Sequence, residues 1–288
     1  MKSQDLSSNV QLASAIVAIL LGGATIIAFL YRRYQATLGR RRILTARLRR
    51  LSCNMQLSYL EYVLGVPAFR RNDEWGTVYI WTEPEYYIQA LVRDEVTAVL
   101  SITTRTRRFK PTLFKGHIIS LDGESLQVRV GKTTFSRLPG GPQGIRGFVG
   151  ARRWSYSELY YYGNPGNYQY YIYSLNDAGF IGRKSWPLIH EVAAKMDVSL
   201  GALAPSGRQD SDVSQFLSQP KVIQARRRAR LNTMTTTAPF MDLAELPSDF
   251  EFGPDYDYVR LVQRSQSLAR LRMWARSVRA RIEAGSNS

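Results

Sequence analysis

The sequence predicts an α+β fold with an N-terminal transmembrane helix, an antiparallel-sheet cytoplasmic domain with short helices, and a C-terminal amphipathic helix. Three observations predict this architecture. Residues 10–31 form an uncharged apolar stretch, β-branched and aromatic runs recur after residue 74, and apolar residues recur at helical spacing among the arginines of 258–283. The short gaps between the β-rich runs favour antiparallel strand pairs over parallel βαβ units.

The apolar stretch 10–31 is long enough to cross a bilayer. At about 1.5 Å per residue it spans roughly 33 Å, and a hydrocarbon core is about 30 Å thick. Lys2 precedes the stretch and a block of arginines follows it. This charge order argues against a cleaved signal peptide and predicts a bacterial inner-membrane protein with residues 1–9 outside and the C-terminal bulk in the cytoplasm. A buried core helix is the alternative, which the length and the abrupt arginine block disfavour.

Residues 32–50 carry eight arginines and no acid, and they predict a basic juxtamembrane helix. Such a helix would lie against anionic lipid headgroups, at roughly 1 kcal/mol for each residue near the surface. Nucleic-acid binding is the competing interpretation of the same block. The predicted membrane-surface contacts are Arg32, Arg33, Arg40, Arg41, Arg42, Arg47, Arg49 and Arg50.

The net charge of +16 is unevenly distributed along the 288 residues. Residues 51–220 contain 18 basic and 15 acidic side chains, a net charge of only +3. The excess therefore comes from the juxtamembrane block, a short run at 221–230 and the C-terminal helix. This distribution favours a lipid bilayer over nucleic acid as the main partner, with nucleic acid kept as a second possibility.

The segment 51–200 is predicted to be an α+β domain, in one piece or as two small units, 51–130 and 131–200. A short helix before Gly65 and Pro67 precedes three predicted strands, 75–81, 85–92 and 96–104. A hairpin is predicted over 117–130, with Asp122-Gly123 at its turn. The glycine- and proline-rich residues 138–147 lack a phosphate-loop pattern and predict a connector.

The segment 154–180 is rich in tyrosine and predicts strands separated by turns. Tyrosines on a sheet can pack in the core, bind a protein partner, or stack on nucleic-acid bases. The near-neutral charge of the surrounding domain favours packing and protein recognition. The candidate partner-binding residues are Tyr160, Tyr162, Asn164, Pro165, Tyr168 and Tyr170.

The C-terminal part divides into a linker and a helix. Residues 201–257, rich in Ser, Thr and Pro with short acidic clusters, predict a partly disordered linker. Residues 258–283 predict an arginine-rich amphipathic helix, because their apolar residues share one face. This helix would lie on the membrane surface, dock on the acidic segment 231–257, or bind nucleic acid.

Two family resemblances follow from local motifs. Leu64-Gly65-Val66-Pro67, followed by three predicted strands, resembles the end of the helix in bacterial envelope modules of the BamE/SmpA type. Those modules bind partner proteins and carry a lipidated cysteine, which this sequence lacks at that place. The run 162–169, with Gly131-Lys132-Thr133 upstream and a preceding apolar stretch, resembles a family of uncharacterised single-pass bacterial membrane proteins. That resemblance implies the architecture and no catalytic residues.

The sequence offers few groups for catalysis. A single cysteine, Cys53, excludes an intramolecular disulfide and any multi-cysteine metal site. His117 and His190 lie in no nucleophile motif, and no metal-ligand spacing is present, so no cofactor or metal is expected. We therefore expect a membrane-anchored, non-enzymatic binding or sensing protein. A membrane-tethered nucleic-acid-binding protein and a membrane effector that homo-oligomerises through its spans are the alternatives.

Overall fold

The computed structural model describes residues 23, 26–31, 34, 39–113, 127–150, 153–163, 168–182, 186–195, 210–239, 241, 246–247, 250 and 253–254. The chain divides into two compact units, residues 1–48 and residues 49–288.

The first unit contains helical residues at 26–31 and helix α1 (Arg40–Leu48). Leu44 and Leu48, four residues apart, lie on one side of α1 and are buried. No described helix is long and apolar enough to cross a membrane. Most of the predicted span 10–31, and Arg32 and Arg33 after it, lie outside the described residues.

The second unit is built on one eight-stranded antiparallel sheet, which confirms the predicted α+β class. Its strands occur in the spatial order β1-β2-β3-β4-β8-β7-β6-β5. The bounds are β1 (Phe69–Asp73), β2 (Gly76–Thr82), β3 (Tyr86–Arg93), β4 (Val96–Thr104), β5 (Gly144–Val149), β6 (Trp154–Tyr162), β7 (Gln169–Asn176) and β8 (Thr233–Thr237).

Strand β8 joins two meanders. Strands β1–β4 form one of them and β5–β7 the other, and β8 pairs with β4 on one side and β7 on the other. Strands β2, β3 and β4 confirm the three strands predicted after the first helix, within one residue at each end. Chain connections around these strands are short because antiparallel neighbours need only a turn.

One face of the sheet combines an apolar cluster with paired hydroxyl groups. Leu91, Val99 and Ile172 belong to a cluster that Met241, Leu246 and Phe250 cover. Side chains on the same face form cross-strand hydroxyl pairs, and each pair satisfies its own buried polar atoms. These pairs are Thr235–Ser101 at 2.8 Å, Thr103–Thr233 at 2.9 Å and Ser157–Ser174 at 2.8 Å.

Helices cover the opposite face of the sheet. They are α2 (Leu57–Leu64), α3 (Trp186–Lys195), α4 (Asp210–Leu217) and α5 (Pro220–Arg228), with a 3₁₀ turn at Phe135–Arg137. Helix α2 is held to the first meander by the indole of Trp81, which donates to the carbonyl of Gly65 at 2.7 Å. Helix α3 contacts β5, β6 and α5, so it packs on the second meander.

The structure corrects two predictions of irregular chain. The predicted linker 201–257 contains α4, α5 and the central strand β8, and the predicted connector 138–147 contains the start of β5. Threonine hydroxyls in β8 are buried but bonded to neighbouring strands, which explains why a polar run can occupy the middle of a sheet. Residues 117–126 of the predicted hairpin and the predicted helix 258–283 lie outside the described residues.

Candidate functional site

A buried carboxylate lies in the middle of strand β6. The strand alternates between the two faces, so Tyr156, Glu158 and Tyr160 share the face that the helices cover. Glu158 is fully buried. The hydroxyl of Tyr156 donates to its Oε1 at 2.7 Å, and the hydroxyl of Tyr160 donates to its Oε2 at 2.6 Å.

Helix α5 supplies the opposite charge. Val222 and Ala225 are the buried positions of this helix, and Arg226 follows directly after them. Its Nε lies 2.7 Å from Oε1 of Glu158, and its Nη2 donates to Oε2 at 3.1 Å. The guanidinium therefore binds the carboxylate through two parallel hydrogen bonds, the strong and directional geometry of this pair.

Burial and the ion pair between Glu158 and Arg226 together determine the pKa values of the neighbouring side chains. Burial, and after it the charge of Glu158, raises the pKa of Tyr156 and of Tyr160 well above the ordinary tyrosine value. Burial alone would lower the pKa of Arg226, but the neighbouring carboxylate outweighs it and the net pKa is raised. Arg226 therefore keeps its positive charge at neutral pH, and both tyrosines are neutral hydrogen-bond donors.

The tyrosines of this face form a packed layer in the interior. Tyr160 and Tyr162 are stacked with ring centroids 5.3 Å apart, and Tyr173 meets Tyr160 edge-on at 5.6 Å. The hydroxyl of Tyr162 donates to the carbonyl of Pro139 at 2.8 Å. Tyr160 and Tyr162 are only 1% and 3% exposed, so these two predicted partner-binding residues have no surface to offer.

A second group of tyrosines lies on the other face of the same strands. Tyr161, Tyr168 and Tyr170 are each partly buried and partly exposed, and Tyr170 also packs against the apolar cluster. The ring centroid of Tyr161 lies 5.2 Å from that of Tyr168 and 4.8 Å from that of Tyr170. We call these three residues the tyrosine strip. It contains the predicted residues Tyr168 and Tyr170, whereas Asn164 and Pro165 lie outside the described residues.

The remaining candidate residues are dispersed. Arg40, Arg41, Arg42 and Arg47 lie on α1, and Arg49 and Arg50 follow it at exposed positions. His190 is half-buried on α3, and His117 lies outside the described residues. The described residues contain no group of three or more His, Cys, Asp or Glu side chains that could hold a metal ion.

Cys53 is buried against the centre of the sheet. Its thiol donates to the carbonyl of Thr236 at 3.2 Å. Burial raises the pKa of the Cys53 thiol to about 11, which opposes formation of the reactive thiolate. Cys53 is therefore a packing residue in the folded protein.

The sequence interpretation missed the pair formed by Glu158 and Arg226. The one available signal was a single acid in an otherwise apolar and hydroxyl-bearing strand, on the same side of the strand as three tyrosines. The arginine partner is 68 residues away along the chain and could not be identified by spacing. No family model, curated protein or solved structure matches this chain.

Proposed function

We propose that the chain is a membrane-anchored, non-enzymatic binding or sensing protein that recognises a protein partner through the tyrosine strip. The partly exposed and mutually contacting rings of Tyr161, Tyr168 and Tyr170 carry this proposal. Tyrosine gives a large and rigid contact area with little loss of conformational entropy, and such residues dominate protein interfaces. The strip rests on strands β6 and β7 of a continuous sheet, so its geometry is set before a partner arrives.

The anchoring part of the proposal is supported by the helical residues 26–31. Ile26, Ile27, Phe29 and Leu30 are each more than half exposed. Consecutive apolar side chains open to water are unfavourable, and a hydrocarbon environment would remove that cost. The arginines that follow would then lie at the headgroups of the cytoplasmic leaflet.

The non-enzymatic part of the proposal is supported by the state of the buried ion pair. Both oxygens of Glu158 accept hydrogen bonds from Arg226 and from a tyrosine hydroxyl. A carboxylate that is fully buried and bonded in this way has no lone pair directed at solvent or at a cavity. Its role is to fix α5 on the sheet behind the tyrosine strip.

The experiment compares two tyrosine pairs of the same chemistry. The tagged full chain is purified from detergent-solubilised, nuclease-treated membranes as the wild type, as Tyr161→Ala/Tyr168→Ala, and as the control Tyr59→Ala/Tyr62→Ala. Tyr59 and Tyr62 are also exposed and near one another, with ring centroids 6.4 Å apart on α2.

We expect one stoichiometric protein partner with the wild type and the control, and its loss with the strip variant. If both variants retained the protein partner equally, the tyrosine strip would not be part of the interface. A partner lost after nuclease treatment would favour the nucleic-acid alternative.

A further inference from the structure

Cationic side chains from three chain segments meet where β4 ends and β8 begins. We call Arg107, Lys110, Arg129, Lys132 and Arg230 the cationic cluster. Lys110 is half-buried and the other four are exposed. Arg107 and Lys110 lie four and seven residues after Thr103, and Arg230 lies three residues before Thr233. Because Thr103 pairs with Thr233, the sheet itself brings the segments carrying Arg107 and Arg230 together.

Backbone hydrogen bonds hold the third segment in place. The amide of Val130 donates to the carbonyl of Pro111 at 3.1 Å, and the amide of Gly131 donates to the carbonyl of Leu231 at 2.8 Å. Gly131 has a positive φ of 80°, and a Cβ there would lie 3.6 Å from Cγ of Lys110. The Lys110 side chain therefore runs directly beside the turn that carries Arg129 and Lys132, and the spacing of these cations is fixed by the fold.

Lys110 lies among side chains of the same charge. Burial first, and then the positive charges of Arg230, Arg107, Arg129 and Lys132, lower the pKa of Lys110. Among the described residues, the charges that act on this lysine thus all repel it. A bound anion would relieve this repulsion, because an opposite charge within a few ångströms favours the charged form of each group.

The cluster is also tied to the segment that follows the predicted span. Arg49 donates its Nε to the carbonyl of Thr112 at 2.7 Å, and Thr112 pairs with Arg129 through an isolated β-bridge. About 18 residues separate Arg49 from Tyr31, the end of the apolar stretch. Even a fully extended chain of that length reaches only about 60 Å. A surface tethered so closely experiences a high effective concentration of lipid headgroups.

We propose that the cationic cluster docks on the phosphate groups of anionic lipids in the membrane that holds the chain. The proposal rests on the anchoring part of the proposed function and adds a second contact, made by the folded domain itself. The tether and the direct link from Arg49 favour lipid over nucleic acid as the source of phosphate. Five positive side chains near such a surface each add to the attraction.

The experiment places a fluorescent reporter beside the cluster in the full chain. Gln127 is exposed and lies two residues from Arg129. A Gln127→Cys variant carries one environment-sensitive fluorophore, since Cys53 is buried and its raised pKa of about 11 keeps it unreactive. The labelled chain is reconstituted in nanodiscs of phosphatidylcholine alone or of phosphatidylcholine with about 30% phosphatidylglycerol. We expect a blue shift in the anionic discs only, reversed by added salt.

Two double variants test whether the cluster itself makes the contact. Lys110→Gln/Lys132→Gln removes two cluster charges, and Arg70→Gln/Arg71→Gln removes two exposed charges from edge strand β1. Each charge near the membrane contributes about 1 kcal/mol, which is about fivefold in the ratio of docked to undocked domain. The cluster variant lacks two charges, so it should lower that ratio roughly 25-fold. The control should change it less than twofold.

The outcomes separate the two proposals. A correctly inserted chain without a lipid-dependent shift, or equal losses in both variants, would overturn the docking proposal. Failure of the chain to insert into discs would instead contradict the anchoring part of the proposed function. An RNA oligonucleotide added to phosphatidylcholine discs is the last comparison. If RNA shifts the fluorescence, anionic lipid does not, and only the cluster variant loses the RNA response, the cationic cluster binds nucleic acid instead.

Discussion

Replacing Arg226 with methionine should strongly destabilise the folded chain. Among the described residues, the change leaves the fully buried carboxylate of Glu158 with two tyrosine hydroxyls and no opposite charge. The lost attraction is roughly 4 kcal/mol for charges about 4 Å apart at an effective dielectric constant near 20. Removing one partner of a buried ion pair typically lowers the free energy of unfolding by about 3–5 kcal/mol, which agrees with the loss of roughly 4 kcal/mol calculated from the distance.

The assay is urea unfolding of the full chain in mild detergent, followed by far-ultraviolet circular dichroism. With a slope of about 2–3 kcal/mol per molar urea, the expected loss lowers the midpoint by roughly 1–2 M. The matched control is Lys221→Met on the same helix. Lys221 pairs with Glu191 at 2.6 Å, but the two side chains are 65% and 45% exposed, so its loss should cost below about 1 kcal/mol.

A double variant tests the cause of the effect. In Glu158→Gln/Arg226→Met the buried charge is gone, and the amide can still bond to both tyrosine hydroxyls. We expect this variant to regain at least half of the stability lost in Arg226→Met. The reasoning would be refuted if the two substitutions were additive, or if Arg226→Met cost no more than the Lys221→Met control.

Three further predictions concern other buried polar groups of the protein. Asn232→Ala removes two hydrogen bonds to the backbone of Asn176, at 3.1 and 2.7 Å, and should lower the free energy of unfolding by about 2–3 kcal/mol; a change below about 0.5 kcal/mol in urea unfolding would contradict it. Cys53, whose pKa burial raises to about 11, should react with N-ethylmaleimide at pH 8 only as the protein unfolds, and rapid labelling of the native chain in mass spectrometry would contradict this. Burial, and then Glu158, raises the pKa of Tyr156 and Tyr160, so the folded state holds more protons than the unfolded state above about pH 10. The free energy of unfolding should therefore fall as the pH rises beyond that value. Complete ionisation of the 17 tyrosines at 295 nm with native circular dichroism retained would contradict this expectation.

Strands with strong local signals could be predicted closely. The predicted strand 96–104 coincides with β4, because a β-branched run follows the turn-forming residues Asp94 and Glu95. Both of those residues have positive φ, at 47° and 62°. The tight turn therefore ends one strand and starts the next, as the residue types indicate.

Strand β8 could not be predicted, because its stability is not encoded locally. The run Thr233–Thr237 has no apolar alternation, and polar residues around it are typical of a linker. Its hydroxyls find partners in β4 that lie 130 and 134 residues earlier in the chain. Pairing at that separation is a property of the whole sheet and leaves no pattern within the segment.

The candidate site was predicted in part for the same reason. A tyrosine-rich strand signalled an aromatic surface, but a one-residue shift along a strand moves a side chain from one face to the other. Tyr160 and Tyr162 consequently lie under the helices, while Tyr161 belongs to the tyrosine strip. Glu158 and Arg226 pair on the face that the helices cover, and no local spacing revealed this pairing.

The central position of β8 has a consequence for how the protein is made. The ribosome synthesises β1–β4 and β5–β7 before residues 233–237, so the inner edges of β4 and β7 lack their native partner until β8 is made. Open edges pair readily with other extended chains, and contacts so distant in sequence form slowly. Translation that stops before residue 233 would therefore leave a product prone to aggregation, and completion of one short threonine-rich strand closes both edges at once.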